Sequence, residues 1–166
     1  HAIELSRYAE EAGADALLVV APYYNKTTPR GVVAHYSMIA KSVNIPILVY
    51  NIQGRTGMNI APETMKELSL IPNIVGVKEA SGSITQVAEI AALCGEDFAI
   101  YSGDDNQVVP MMSLGGKGVI SVVANILPED THKMAIKYLE GDIEGSRKIQ
   151  LRILNLLRAL FIEVNP

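Results

Sequence analysis

Short runs of consecutive apolar residues recur along the chain, separated by stretches with helical spacing. Five runs rich in β-branched residues read as strands: Ala16–Ala21, Pro46–Tyr50, Ile74–Lys78, Phe98–Ser102 and Gly118–Val122. None alternates strictly between apolar and polar, which is the pattern of a strand covered on both faces. Between them the periodicity predicts helices over Ala2–Glu11, Gly31–Val43, Pro62–Ser69, Thr85–Cys94 and Gln107–Leu114, then Glu129–Glu140 and Ile143–Leu160. Pro62 and Pro128 suit first helical turns, and Gly13, Gly95 and Gly115 suit helix ends.

Repeated strand–helix units imply a parallel sheet, either open and doubly wound or rolled into a barrel. A full eight-stranded barrel takes about 250 residues. With 166 residues and five units, the expected architecture is α/β, a partial (β/α)8 TIM barrel forming one domain over residues 1–166 and incomplete at both ends. The chain opens on His1 inside an amphipathic helix and stops at Asn165-Pro166, so both ends are expected to be cut from something longer.

Composition narrows the classes. At 49% hydrophobic with a net charge of -4, the chain has no electrostatic footprint for nucleic acid. No apolar stretch is long enough to span a membrane. A single cysteine, Cys94, excludes an internal disulfide and suits a reducing, cytoplasmic setting. It reads as a small packed side chain on an alanine-rich helix.

In parallel α/β folds the chemistry gathers at the C-terminal ends of the strands. Those ends carry Pro22-Tyr23-Tyr24-Asn25, Tyr50-Asn51, Lys78-Glu79-Ala80-Ser81-Gly82 and Ser102-Gly103-Asp104-Asp105. Lys78 stands out because it interrupts the apolar run Ile74–Ala80. A lysine in a dry site loses its proton more easily and can attack a carbonyl. Equally, its stem can lie on apolar surface while its head reaches water. A tyrosine alone is more often a hydrogen-bonded core residue, but several at the rim of a buried lysine form an acid/base set.

Arg55 lies between Gly54 and Gly57, a tight loop able to aim a guanidinium at a carboxylate, although a solvated arginine is the simpler reading. Asp104 and Asp105 suggest helix capping rather than a metal pair, since no histidine has ligand spacing; no metal is expected. His35 and His132 are expected on helix surfaces. Gly115-Gly116-Lys117-Gly118 precedes a strand and so belongs to the opposite face. Glu79 adjoins Lys78 and points away from it. An open-sheet nucleotide binder would need a glycine-rich loop after the first strand, and none is there.

Together, Pro22-Tyr23-Tyr24-Asn25, Tyr50-Asn51 with Arg55-Thr56-Gly57, Val77 to Gly82, Ser102 to Asp105 and Gly118-Val119-Ile120-Ser121 resemble the dihydrodipicolinate synthase family of pyruvate-dependent class I aldolases and lyases. The resemblance covers essentially the whole chain. It implies a lyase of lysine and diaminopimelate biosynthesis that condenses pyruvate with aspartate semialdehyde and needs no cofactor. In that reading Lys78 is the Schiff-base lysine and Tyr50 a proton relay, while Tyr24 is a second relay donated across a dimer interface. Arg55 binds the semialdehyde carboxylate, and the backbone of Gly103 and Ile120 lines the pyruvate pocket. Tyr23 resembles a tyrosine near the lysine-feedback site.

The family's three preceding strands and its Gly-Thr-Thr-Gly-Glu motif have no counterpart in this sequence. The chain is therefore expected to match the last five strands of a barrel, to turn over weakly, and to cover its sheet edges by self-association or by pairing with the missing portion. An N-acetylneuraminate lyase or a 2-keto-3-deoxy sugar acid aldolase would use the same lysine and tyrosine. A non-catalytic folded fragment is the alternative of another class.

Overall fold

A computed structural model of the chain describes residues 1–163. Five parallel strands form one sheet in the order in which they occur: β1 (Leu17–Val20), β2 (Ile47–Asn51), β3 (Ile74–Glu79), β4 (Ala99–Ser102) and β5 (Gly118–Val119). An unbroken sequential order, with no reversal, is that of a barrel segment rather than a doubly wound sheet. The expected partial barrel is what folds.

Helices connect and cover the strands. α1 (Ala2–Glu11) precedes β1, and α2 (Pro29–Ala40), α3 (Gln53–Thr56), α4 (Pro62–Ser69), α5 (Ile84–Cys94) and α6 (Val108–Met112) follow in turn. After β5 come α7 (Pro128–Leu139), α8 (Ile143–Arg152) and α9 (Leu154–Ala159). The main core lies between the sheet and these helices, built from Val32, Ile39, Ile47, Val49, Met65, Leu68, Val77 and Ile90 among others. Strand alternation assigns the faces: in β2, Ile47, Val49 and Asn51 are buried toward the helices while Leu48 and Tyr50 are half-buried on the other face. Tyr36 of α2 is wholly buried and donates its hydroxyl to the carbonyl of Val19 at 2.8 Å, tying α2 to the edge strand.

Where the elements differ from expectation, specific hydrogen bonds and packing contacts account for it. α2 starts two residues early because Thr28 accepts the Gly31 N–H at 3.2 Å and Pro29 fits the first turn. β5 ends at Val119 rather than Val122. Beyond it, Asp105 Oδ2 accepts the N–H groups of both Val122 and Val123 at 3.0 Å and draws the chain into a 3-10 turn over Val123–Asn125. The helix expected from Gln107 is a 3-10 turn, Asp105–Gln107, leading into the shorter α6. The last helix is broken at Ile153, whose ψ of -2° lets both it and Leu157 bury against Val123. His35 is half-buried rather than on the surface, its ring edge-on to Tyr36.

Candidate active site

The register aligns the chemistry on one rung. Val20 pairs with Tyr50, Tyr50 with Lys78, Lys78 with Tyr101, and Tyr101 with Gly118. All sit at or near the C-terminal ends of their strands, and Tyr50, Lys78 and Tyr101 share the half-buried face. Lys78 places Nζ 4.2 Å from the centre of the Tyr50 ring. Such a contact stabilises an ammonium by ~0.5–2 kcal/mol depending on desolvation. Burial pulls the Lys78 amine below its ordinary value of 10.5, and the negative charge of Asp105 works in the opposite direction. Burial likewise raises the Tyr50 phenol, against the lowering influence of the Arg55 charge. The result is a more readily deprotonated amine beside a phenol that keeps its proton.

Gly103 leaves room for this lysine. Its backbone N–H donates to the Glu79 carbonyl at 2.8 Å. A Cβ at that position would stand 2.8 Å from Ala80 Cβ and 3.1 Å from both Cγ and Cε of Lys78. Ile120, just past β5, donates its N–H to the Ser102 carbonyl at 2.9 Å.

Arg55 occupies the single turn of α3, which Gly57 closes at φ +70°. The expected tight loop is thus a helical turn. Arg55, Gly103, Ala80 and Asp105 line a cleft of about 350 Å3 whose far wall is Leu157, Arg158 and Phe161. Lys78 and Tyr50 do not line it. A larger hollow of about 530 Å3 lies among Ser37, Lys41, Asn44, Leu70 and Asn73, near the opposite ends of the strands and remote from Lys78. The ionisable groups converge at the smaller cleft and the adjoining rung, which makes that region the candidate site.

Tyr24 and Tyr23 lie apart from this group. Tyr24 is 91% exposed and Tyr23 63%, on the loop after β1. Tyr24 also holds φ at +63°, a left-handed conformation unusual for a tyrosine. Asp104 caps the 3-10 turn by accepting the Asn106 N–H at 2.9 Å, as the sequence suggested, whereas Asp105 is buried. Among the described residues no group of three or more His, Cys, Asp or Glu could hold a metal ion. Among them, too, no helix is long and apolar enough to cross a membrane.

Sequence reasoning turned Glu79 away from Lys78 but gave no role to the helix side of the same strand ends. Asn51 is fully buried and Glu79 is 2% exposed; they are register partners one step beyond Tyr50 and Lys78. The signal was available in the sequence, since each is a polar residue placed where alternation demands an inward-packed one.

The model of the dihydrodipicolinate synthetase family matches residues 1–166. The chain belongs to that family. It is 58% identical over 166 residues to the 4-hydroxy-tetrahydrodipicolinate synthase of Acetivibrio thermocellus, covering 100% of this chain and 56% of that protein. It is 60% identical over 167 residues to the synthase of Thermoanaerobacter sp., with the same coverage. Among solved structures, dihydrodipicolinate synthase from Aquifex aeolicus superposes with a TM-score of 0.96 at 44% identity, over 99% of this chain and 56% of that one. The Acinetobacter baumannii synthase, solved complexed with pyruvate, gives 0.95 at 40% identity, over 99% of this chain and 56% of that one. The chain thus spans a little over half the length of the relatives it matches.

Proposed function

We propose that this chain carries the Schiff-base portion of a 4-hydroxy-tetrahydrodipicolinate synthase, acting on pyruvate and aspartate semialdehyde in lysine and diaminopimelate biosynthesis. The observation that carries the reading is Lys78 held over Tyr50 on adjacent strands, its amine shifted toward the neutral form. The neutral amine of Lys78 adds to the ketone carbon of pyruvate, giving a carbinolamine. Loss of water then gives the imine, and each step needs a proton delivered or removed at the substrate oxygen. The Tyr50 phenol, adjacent and protonated, serves that exchange. The backbone around Gly103 and Ile120 lines the pyruvate site, and Arg55 at the cleft offers a bidentate partner for the carboxylate of the second substrate.

Tyr24 acts in this reading as a relay presented to a neighbouring copy. Its exposure and its strained backbone support a role that the isolated chain does not use. β1 and β5 are sheet edges, and Leu18 of β1 is 44% exposed. Association with another chain, a second copy or the rest of a barrel, would cover such an edge.

Borohydride reduction with pyruvate tests the reading. Hydride addition to the iminium carbon leaves a stable secondary amine, and the expected mass adduct lies on Lys78. An adduct confined to other lysines would overturn the assignment, and no adduct at any pyruvate concentration would leave a non-catalytic folded unit.

A further inference from the structure

The strongest unassigned feature is a hydrogen-bonded chain on the helix side of the sheet, directly behind the reactive rung. Asn51 Nδ2 donates to both carboxylate oxygens of Glu79, at 3.0 and 3.3 Å. Glu79 Oε1 also accepts the Ser81 N–H at 2.7 Å. Asn51 Nδ2 reaches Asn59 Oδ1 at 2.8 Å, and Asn51 Oδ1 accepts the Ile60 N–H at 3.0 Å. Asn59 continues to Gln86 of α5 through bonds of 2.6 and 3.1 Å.

We propose that Asn51 and Glu79 are positioning residues: their amide–carboxylate pair, behind the sheet, sets where Tyr50, Lys78 and Arg55 stand in front of it. Successive strand residues face opposite sides, so locking Asn51 to Glu79 fixes the final rung of β2 against β3. The rung before it pairs Tyr50 with Lys78 on the opposite face. The Ser81 bond turns the chain immediately after Ala80. The bonds to Asn59 and Ile60 close residues 51–60 into a loop pinned at both ends, and Arg55 lies in its middle. One pair therefore braces all three groups.

The polarity of the chain is determined. A carboxylate only accepts, and the Ile60 N–H holds the Asn51 amide in one orientation. Two donors, Asn51 Nδ2 and the Ser81 N–H, make three contacts to the two Glu79 oxygens, so the N–H2 of Glu79→Gln sets at least one of these contacts donor against donor. Combining Asn51→Asp with Glu79→Gln reverses the pair, restoring a carboxylate facing an amide and leaving the Ile60 N–H an acceptor; the Asn59 and Gln86 amides turn over together so that Asn59 donates to the new carboxylate at position 51. Such a swap is a double-mutant cycle on the interaction itself.

The inference rests on the Schiff-base reading for its purpose but can be tested without it. Competitive acetylation with acetic anhydride across pH, resolved by mass spectrometry, gives the titration midpoint of Lys78 directly. The groups facing Lys78 are Tyr50 from β2, Tyr101 from β4 and Asp105 from the turn after β4, with Arg55 acting on Tyr50; all are retained in the variants. In the parent chain the midpoint is expected below that of exposed lysines, because burial disfavours the ammonium. Positioning predicts that Glu79→Gln lets water reach the amine and moves the midpoint up. Simple loss of a nearby negative charge would move it down.

The expected result is an upward shift in Glu79→Gln, with borohydride trapping by pyruvate slowed about 10-fold or more, and recovery of both in the double swap. An unchanged or lowered midpoint in a folded Glu79→Gln variant overturns the proposal, as does a double swap no better than the single changes. If neither variant folds by circular dichroism, the pair is a folding determinant and the proposal fails. If the parent gives no pyruvate adduct yet the midpoints shift and recover as described, the functional reading fails and the positioning role stands.

Discussion

Lys78 and Tyr50 are register partners on adjacent parallel strands, and the lysine Nζ stands 4.2 Å from the centre of the tyrosine ring. Both side chains are half-buried, and burial acts on them in opposite directions: the amine falls and the phenol rises. Burial thus favours the neutral form of each group.

Adduct formation at Lys78 should therefore rise with pH through a midpoint below 10.5, since the folded amine is lowered from that value. The sign for stability follows from linkage: the unfolded state binds the extra proton between the two values, so this lysine adds stability as pH climbs through that window. Rates of borohydride trapping between pH 6 and 10 check the first point. A profile matching free lysine would contradict it.

Tyr50→Phe keeps the ring beneath Lys78 and removes only the hydroxyl. The fold should be retained, with the thermal midpoint little changed, while imine formation slows by roughly 100-fold or more if the phenol moves the proton. Trapping at the parent rate would remove Tyr50 from the proton path.

Gly103→Ala brings a methyl against Ala80 and the Lys78 stem. Ala80 lies at the end of a paired strand and yields little, so the lysine must move. Urea unfolding should show a loss of about 1–3 kcal/mol, and the yield of Lys78 adduct should fall with it.

Tyr24→Gly and Tyr24→Ala separate backbone from side chain. Glycine adopts φ near +63° without strain, whereas alanine retains it. The glycine variant should be more stable than the alanine variant by about 1 kcal/mol, read from denaturant midpoints of the two.

Tyr36→Phe removes the buried hydroxyl that donates to Val19. A loss of about 1 kcal/mol is expected, with adduct formation at Lys78 unaffected because the contact lies on the helix side of the edge strand.

The strands were legible because each is a continuous apolar run, and Pro62–Ser69 was legible to the residue because Pro62 opens it. The ends of β5 and of the last helices were not. They are set by Asp105 reaching residues 17 and 18 positions away and by Ile153 burying against Val123, contacts invisible to local periodicity. Lys78 and Tyr50 were recognisable as strand-end residues on one rim, and the register makes them direct neighbours. Glu79 was read correctly as pointing away from Lys78. What periodicity could not supply was its partner, because Asn51 lies 28 positions back and becomes a neighbour only once β2 pairs with β3.

The alternation of β2 and β3 also divides inheritance. Residues 50 and 78 stand on the half-buried face of the sheet; residues 51 and 79 are buried against the helices. A lineage that exchanges its chemistry on the front of these strands can keep the fastening behind them, and one that repacks its helices must preserve Asn51 and Glu79 or replace both at once. Novelty on this scaffold is therefore cheapest at even positions of the rung and dearest at the odd ones.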